Sequence, residues 1–388
     1  MSNFLIPKNI TCLPLLETDL VYVNPTYMLR PENYAMISDS VSEEILNKIR
    51  FGYYVGTTCP YPRFDLSRYF YKLKANPVYS VLPDKEIKYV DFETVTDTRA
   101  IEFKKASEKF EHVYLFWSGG IDSTLVLCAL LKNWDTISLS KLTVVLNSQS
   151  ILEHPTGYLN LIKGKLKELN TDEFFSGGAR FSHDALYITG DVGDAILGYE
   201  DIYRFDKLYP GSYQRPWKKS VDLLVSYFSL ADGPVSGNFA MNHIIESLEA
   251  AEIEVDTVYD LLWWLDFNWG YDLNLYYLCW TYSELPQELN ARQFMEDNVF
   301  LFFNCKEYQN WAVATIGTDL KIGATVTSHK LPAKKYIYGF DRDKEYFDTK
   351  LKVMSIPNHP KRSTNNRLFA IDTSYNLYYT EPSIWLNK

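Results

Sequence analysis

Residues 113–124 read VYLFWSGGIDST, an apolar run that ends in a turn with two glycines and leads into the apolar segment 125–131. The run predicts a buried strand, and the Leu- and Ala-rich segment after the turn predicts a helix. Gly119 and Gly120 allow backbone N–H groups to point at one place, where the positive end of the helix dipole also attracts anions. The stretch therefore predicts a phosphate cradle on a strand–turn–helix unit.

The side chains of this turn narrow the expected ligand. Ser118, Ser123 and Thr124 add hydroxyl donors at the same place. Asp122 adds a carboxylate, which repels phosphate unless a cation lies between them. The turn therefore predicts a polyphosphate together with Mg²⁺. It is not a Walker A loop, because the chain contains no GxxxxGK[ST] string.

Alternation of apolar strands with helical segments predicts an α/β fold, a doubly wound parallel sheet, from residue 112 onward. The predicted strands are 113–117, 142–146 and 185–189. The predicted helices are 121–132 and 157–169. Ligands of such sheets bind beyond the carboxyl ends of the strands. Asn147 and Gly190 follow two of these strands, so we expect both residues among the nucleotide contacts.

A second polar segment follows the strand 185–189. Residues 190–199 read GDVGDAILGY and place Asp191 and Asp194 three positions apart among glycines. Carboxylates beside a polyphosphate hold a metal ion or handle protons. Taken alone, the segment is equally compatible with a surface turn that begins a helix.

The string SGGxDS[ST] resembles the PP-loop of the ATP pyrophosphatase superfamily. Together with residues 190–199, it resembles the synthetase domain of asparagine synthetase and β-lactam synthetase. The resemblance implies a ligase that adenylylates a carboxylate or carbonyl oxygen, releases pyrophosphate and forms an amide or C–N bond. It implies Asp122 and Asp194 as magnesium ligands and Asp191 as the substrate-side acid. This chain has Asp191 where the family has Glu, and Ala195 where the family has an acid.

The resemblance also implies a late lysine that carries the charge of the departing pyrophosphate. The chain is rich in lysine over residues 330–335 and 344–352. We expect Lys350 or Lys352 in this role, with Lys334 as a supporting cation. A solvated charged face is the alternative interpretation for any one of these lysines.

The sequence predicts three parts. These are a small α+β N-terminal domain (1–108), an ATP pyrophosphatase domain with a helical C-terminal part (109–356), and a C-terminal extension with short strands (357–388). The glutaminase domain of asparagine synthetases begins with a nucleophilic cysteine after Met, whereas position 2 here is Ser2. We therefore expect ammonia or an amine as the nitrogen source and a small-molecule carboxylate as its partner. The sequence is also compatible with a homo-oligomer.

Composition limits the partners further. A formal net charge of −10 argues against broad nucleic-acid binding, although it allows a local basic patch. The five cysteines form no CxxC pair, which argues against a zinc site or a disulfide framework. No signal peptide or long apolar segment stands out, so we expect a cytoplasmic protein without a membrane partner.

Two other functions remain open. One is a PP-loop enzyme that modifies a nucleobase, tRNA or DNA, similar to 7-cyano-7-deazaguanine synthase. The other is a regulator that binds ATP without catalysis, which the changed residues Asp191 and Ala195 allow.

Overall fold

The computed structural model describes residues 20–23, 82–84, 86–176, 182–198, 201–230, 237–251, 254–270, 294, 297–318, 330–350, 368–372 and 377–380. Its strands are β1 (Leu20–Val23), β2 (His112–Phe116), β3 (Leu142–Leu146), β4 (Lys167–Asn170), β5 (Ala185–Thr189), β6 (Val299–Leu301), β7 (Leu368–Asp372) and β8 (Leu377–Thr380). Its α-helices are α1 (Phe92–Ser107), α2 (Ile121–Asn133), α3 (Thr136–Ser140), α4 (Ser148–Glu153), α5 (Pro155–Gly157), α6 (Thr171–Ser176), α7 (Gly193–Leu197), α8 (Asp201–Leu208), α9 (Val221–Leu230), α10 (Gly237–Ala251), α11 (Val258–Leu265), α12 (Lys306–Ala314), α13 (Leu331–Asp341) and α14 (Lys344–Thr349).

The chain forms two compact units from interleaved segments. One unit comprises residues 1–80, 204–284 and 361–388, and the other comprises residues 81–203 and 285–360. In the first, β1, β7 and β8 form an antiparallel sheet, and β7 and β8 lie in the segment for which the sequence predicts a C-terminal extension with short strands. The domain boundaries at 108 and 356 stay predictions, and most of the predicted N-terminal domain lies outside the described residues.

The second unit contains a five-stranded, all-parallel sheet in the order β4-β3-β2-β5-β6, which confirms the α/β class. From β2 the chain builds outward through β3 to β4, and then returns to add β5 on the other side of β2. The strand order therefore reverses between β2 and β5. A crevice at such a switch point is the usual ligand site of an open α/β sheet.

The central strands are buried on both faces. Tyr114 of β2 stacks on its in-register neighbour Tyr187 of β5, with ring centroids 5.5 Å apart. Val113 and Leu115, which alternate with Tyr114, are fully buried on the opposite face. This burial explains why both strands are continuous apolar runs in the sequence.

Helix α13 is held against α1 and α2 by polar contacts. The Lys132 ammonium of α2 lies 2.8 Å from Glu93 and 2.7 Å from Asp97, two carboxylates of α1. The Tyr336 hydroxyl of α13 donates a hydrogen bond of 2.5 Å to Asp97. These contacts fix the position of α13, and therefore of the residue that precedes it.

The helix predicted over residues 157–169 is wrong in its second half. A π-helical turn ends at Ile162, and residues 167–170 form β4, which pairs in parallel with β3. Gly164 adopts a positive φ of 70°, a conformation that ends the helical path. Backbone pairing along the edge of the sheet then replaces the helical hydrogen bonds. The three-residue strand β6 was not predicted either.

Candidate functional site

The turn after β2, residues 118–120, is called the SGG turn below. Gly119 has a φ of +76°, and a Cβ there would lie 2.3 Å from the Ser150 carbonyl oxygen of α4. Gly120 is the N-cap of α2, and among the described residues no side chain caps this helix. The first N–H groups of α2 are therefore presented at the end of β2, the arrangement that anions favour.

Hydroxyl groups hold the SGG turn in shape. The Ser118 and Ser123 hydroxyl oxygens lie 2.9 Å apart, and the Gly120 N–H donates to the Ser118 hydroxyl at 3.2 Å. Thr124 is fully buried and accepts a hydrogen bond of 3.1 Å from the Trp117 indole. Ser118 and Ser123 thus line the turn, whereas Thr124 supports it from the core.

The turn after β5, residues 190–192, is called the GDV turn below, and it packs directly on the start of α2. A Cβ on Gly190 would lie 2.9 Å from the Ser123 nitrogen, and one on Gly193 would lie 2.7 Å from the Asp122 carboxyl carbon. Only glycine fits at such distances. Val192, a buried β-branched residue, has a φ of +63°, a strained conformation of the kind found at functional sites.

Asp122 and Asp194 meet at one buried cation. The Lys330 ammonium lies 2.5 Å from a carboxylate oxygen of Asp122 and 2.5 Å from one of Asp194. The Lys330 side chain is 1% exposed, and each carboxylate retains about a fifth of its exposure. Two acids from the turns after adjacent strands therefore converge on a single positive charge.

Lys330 was part of the basic stretch in the sequence but was not selected as a site residue. It precedes α13 with a φ of +55° and a ψ of +35°, and its carbonyl accepts the first helical bond from the Lys334 N–H at 3.1 Å. Pro332, in the first turn of α13, marks a helix start in the sequence. That signal locates the helix but does not show which lysine reaches the acids.

Lys350 lies beside the SGG turn instead of between the acids. Its ammonium is 3.0 Å from both the side-chain and backbone oxygens of Glu153, the last residue of α4. A Cβ on Gly119 would lie 3.1 Å from Glu153 Cβ, so this carboxylate borders the turn. Burial lowers the pKa of Lys350, and the bond to Glu153 opposes that shift. Lys352 lies outside the described residues.

Lys334 is a second buried lysine in this region. It follows Lys330 by four positions on α13 and is 1% exposed. Burial and the nearby charge of Lys350 together lower its pKa to about 8, although the Asp348 carboxylate opposes this shift. Lys334 therefore changes charge in the mildly alkaline range, close enough to Lys350 for the two ammonium groups to influence each other.

Two other predicted residues have defined local roles. The Asp191 carboxylate accepts a hydrogen bond from the Thr189 hydroxyl, and its own N–H donates to that hydroxyl at 3.1 Å. Asn147 caps α4: its side chain accepts from the Ser150 N–H at 3.0 Å, and its N–H donates to the Ser150 hydroxyl at 3.2 Å. Asn147 thereby positions the helix that braces the SGG turn. A ligand contact of Asn147 stays a prediction.

The donor set fits a magnesium ion that arrives with phosphate. Asp122 and Asp194 converge on one cation, but the described residues contain no cluster of three or more His, Cys, Asp or Glu side chains suited to a metal. Mg²⁺ is commonly bound by one or two carboxylates, with phosphates and water completing its shell. The pair Asp122 and Asp194 therefore matches the number of protein carboxylates that Mg²⁺ uses when phosphates complete its shell.

Comparison with known proteins assigns the chain to no family. The chain matches no protein-family model, and no curated protein is significantly similar to it. Within the described ranges, every helix is too short or too polar to cross a membrane. Functional inference therefore depends on the geometry of the site.

Proposed function

We propose that this chain is an ATP-dependent, AMP-forming ligase of the PP-loop ATP pyrophosphatase type. The observation that carries the proposal is the convergence of Asp122 and Asp194 on one buried cation, each with an oxygen 2.5 Å from the Lys330 ammonium. A turn that bound simple phosphate would need neither acid. Paired acids with a cation beside an anion-binding helix start are suited to a metal-bound polyphosphate.

In this proposal, the SGG turn and the start of α2 bind the β- and γ-phosphates of ATP. The uncapped N–H groups of α2 and the hydroxyls of Ser118 and Ser123 supply the donors. Asp122 and Asp194 would hold Mg²⁺, which supplies positive charge between their carboxylates and the phosphates. Lys330, whose ammonium lies 2.5 Å from both carboxylates, would then take the phosphate oxygens as new partners.

Lys330 is the residue that we assign to the departing pyrophosphate. An ammonium that is already buried and held in place stabilises developing negative charge more effectively than a solvated one does. Lys350 compensates Glu153 beside the SGG turn, and thus removes a repulsion that the incoming phosphates would otherwise meet. Lys334 adds a third positive charge when it is protonated.

The chemistry has two steps. An acceptor oxygen forms a bond to the α-phosphorus as the bond from that phosphorus to its bridging oxygen breaks, and pyrophosphate leaves. An amine or ammonia nitrogen then attacks the activated carbon and loses a proton, and AMP leaves with the acceptor oxygen. Asp191, oriented by Thr189 at the end of β5, is the acid assigned to the substrate side.

The proposal is tested by incubating the purified chain with Mg²⁺, α-phosphate-labelled ATP and a fraction of small metabolites. Pyrophosphate and AMP should form together, and mass spectrometry should detect an adenylylated carboxylate. Asp122→Asn and Asp194→Asn should each reduce pyrophosphate release by about 100-fold or more. Asp172→Asn, which changes an exposed acid of α6, is the matched control and should have no effect.

Other outcomes would contradict the proposed function or favour one of its alternatives. Pyrophosphate release that persists in both aspartate variants would contradict the assignment of the acids. ATP binding without pyrophosphate from any mixture would favour a regulator. Label recovered on a nucleobase or tRNA would favour the nucleobase-modifying alternative.

A further inference from the structure

Helix α13 has a second functional face. Lys330 and Lys334 lie on the face toward the acids, whereas Pro332, Lys335, Tyr336 and Gly339 follow the spacing i, i+3, i+4, i+7 and share the opposite face. That opposite face forms one wall of a cavity of about 390 Å³, called the α13 cavity below. The remaining lining residues are Tyr89, Phe92, Glu93, Lys132, Trp311 and Phe340.

The walls of the α13 cavity are mainly aromatic. The rings of Phe92 and Trp311 pack with centroids 4.9 Å apart at an angle of 60°, and form a firm apolar base. Tyr89 and Phe340 are 54% and 36% exposed at the cavity. Exposed aromatic side chains around a concavity mark a binding site, and their flat faces favour a planar ring.

Gly339 keeps the α13 cavity open. It lies within α13, where alanine would stabilise the helix better than glycine does. A Cβ at this position would meet no atom of the described residues within 4 Å. Packing therefore does not require a glycine here, and any larger side chain would project into the space of the cavity.

The charges of the cavity favour an anion. The Lys132 ammonium is already bonded to Glu93 at 2.8 Å and to Asp97 at 2.7 Å. Lys335 is exposed at the rim and makes no hydrogen bond or ion pair with any residue that the structure describes. Beside its aromatic walls, the cavity thus presents an ammonium that has no partner within the described parts of the chain.

We propose that the α13 cavity binds a small planar aromatic anion, with its ring against the aromatic walls and its carboxylate, sulfonate or phosphate group at Lys335. The volume lies within the range of small-molecule sites. The proposal is independent of the ligase function, because the cavity and the acid pair lie on opposite faces of α13.

Calorimetric titration of the full-length chain with naphthalene-2-sulfonate tests this site. We expect one site per chain. Gly339→Leu should abolish binding by filling the cavity, and Lys335→Met should weaken it by about fivefold, the typical effect of one exposed charge. Lys344→Met, which removes an exposed lysine of α14, is the matched control and should bind like the unchanged chain.

Three results would overturn the proposal. The first is that the unchanged chain does not bind naphthalene-2-sulfonate, and the second is that Gly339→Leu binds it as tightly as the unchanged chain does. The third is that the unchanged chain binds neutral 2-naphthol as tightly as it binds the sulfonate. Gly339→Ala is the control that separates a filled cavity from misfolding. It should raise the melting temperature and leave most of the cavity open. Pyrophosphate release is measured separately, so failure of this site leaves the ligase test unaffected.

Discussion

At the scale of single residues, Lys330 competes with any metal for Asp122 and Asp194. Its ammonium is 2.5 Å from both carboxylates and is almost completely buried, so a divalent ion can reach these oxygens only when the lysine moves. Phosphates provide an alternative partner for the ammonium. We therefore expect the free protein to exclude divalent metals until nucleotide is present.

Replacing Lys330 with methionine should open the acid pair to metal. Without nucleotide, Lys330→Met should bind Mn²⁺ about tenfold or more tightly than the unchanged chain, because the ammonium that lies between the two carboxylates is then removed and no longer competes with the metal. Electron paramagnetic resonance of Mn²⁺ measures the bound fraction. Mn²⁺ should also raise the melting temperature of Lys330→Met more than that of the unchanged chain.

Lys335→Met is the control for this experiment, since it removes a lysine from the opposite face of the same helix. It should behave like the unchanged chain toward Mn²⁺. Equal Mn²⁺ affinity of the unchanged chain and Lys330→Met would show that the lysine does not block the acid pair.

His154 makes the stability of the second unit sensitive to acid. Its ring stacks on Tyr346 with centroids 3.8 Å apart, and neither ring nitrogen has a hydrogen-bond partner among the described residues. Burial and the charge of Lys350 lower the pKa of His154 from 6.5 to about 4, against the opposing effect of the Asp343 carboxylate. The folded chain therefore holds this imidazole neutral.

The sign of the pH effect follows from this lowered pKa. Between pH 6.5 and 4, the unfolded chain binds a proton at His154 that the folded chain does not, so acidification favours unfolding by about 3 kcal/mol in total. His154→Phe and His154→Leu should lose that part of the pH dependence. Denaturant unfolding at pH 7 and pH 4.5 measures it, and identical pH profiles for all three proteins would contradict the expectation.

At the scale of elements, contact between the start of α7 and the start of α2 positions Asp122. A methyl group on Gly193 would lie 2.7 Å from the Asp122 carboxyl carbon and 2.8 Å from the Phe303 ring. Gly193→Ala should therefore displace Asp122 and reduce pyrophosphate release by about tenfold or more. Circular dichroism and melting temperature check that the variant folds.

The matched control for Gly193→Ala is Gly339→Ala, which adds a methyl group to another helical glycine but into open space among the described residues. It should retain full activity and gain up to about 1 kcal/mol of stability. Unimpaired pyrophosphate release by Gly193→Ala would show that the carboxylate tolerates a shift at this position.

Local sequence patterns predicted the strands on either side of the crevice because both are continuous apolar runs followed by glycine turns. They did not predict β4, whose residues 167–170 read KELN and gain their strand conformation only by pairing with β3. Local sequence patterns could not identify Lys330 either, because its position also depends on contacts between segments that are distant in the sequence. Its contact with Asp122 joins residues 208 positions apart, and α13 must first pack on α1 and α2.

At the scale of the whole molecule, the chain passes between its two units after residues 80, 203, 284 and 360. Along the sequence, Asp122 and Asp194 lie before residues 204–284 of the other unit, whereas Lys330 lies after those residues. In the first unit, β1 near the start of the chain pairs with β7 near its end. Neither unit is therefore a continuous stretch of sequence, an arrangement that depends on contacts between distant segments and that composition does not reveal.

Net charge also acts at this scale, and it separates the ligase from a nucleic-acid-modifying enzyme. The formal charge of −10 opposes the approach of a polyphosphate backbone, so we expect tRNA to bind more weakly than about 10 µM at 150 mM salt. Fluorescence anisotropy of labelled tRNA at 50 and 200 mM salt measures this. Mg²⁺-ATP binding, followed in the same buffers, should persist because in the proposed site the SGG turn, and not the overall field, would hold its phosphates. Tight tRNA binding that falls steeply with salt would instead require a local basic surface and would favour the nucleobase-modifying alternative.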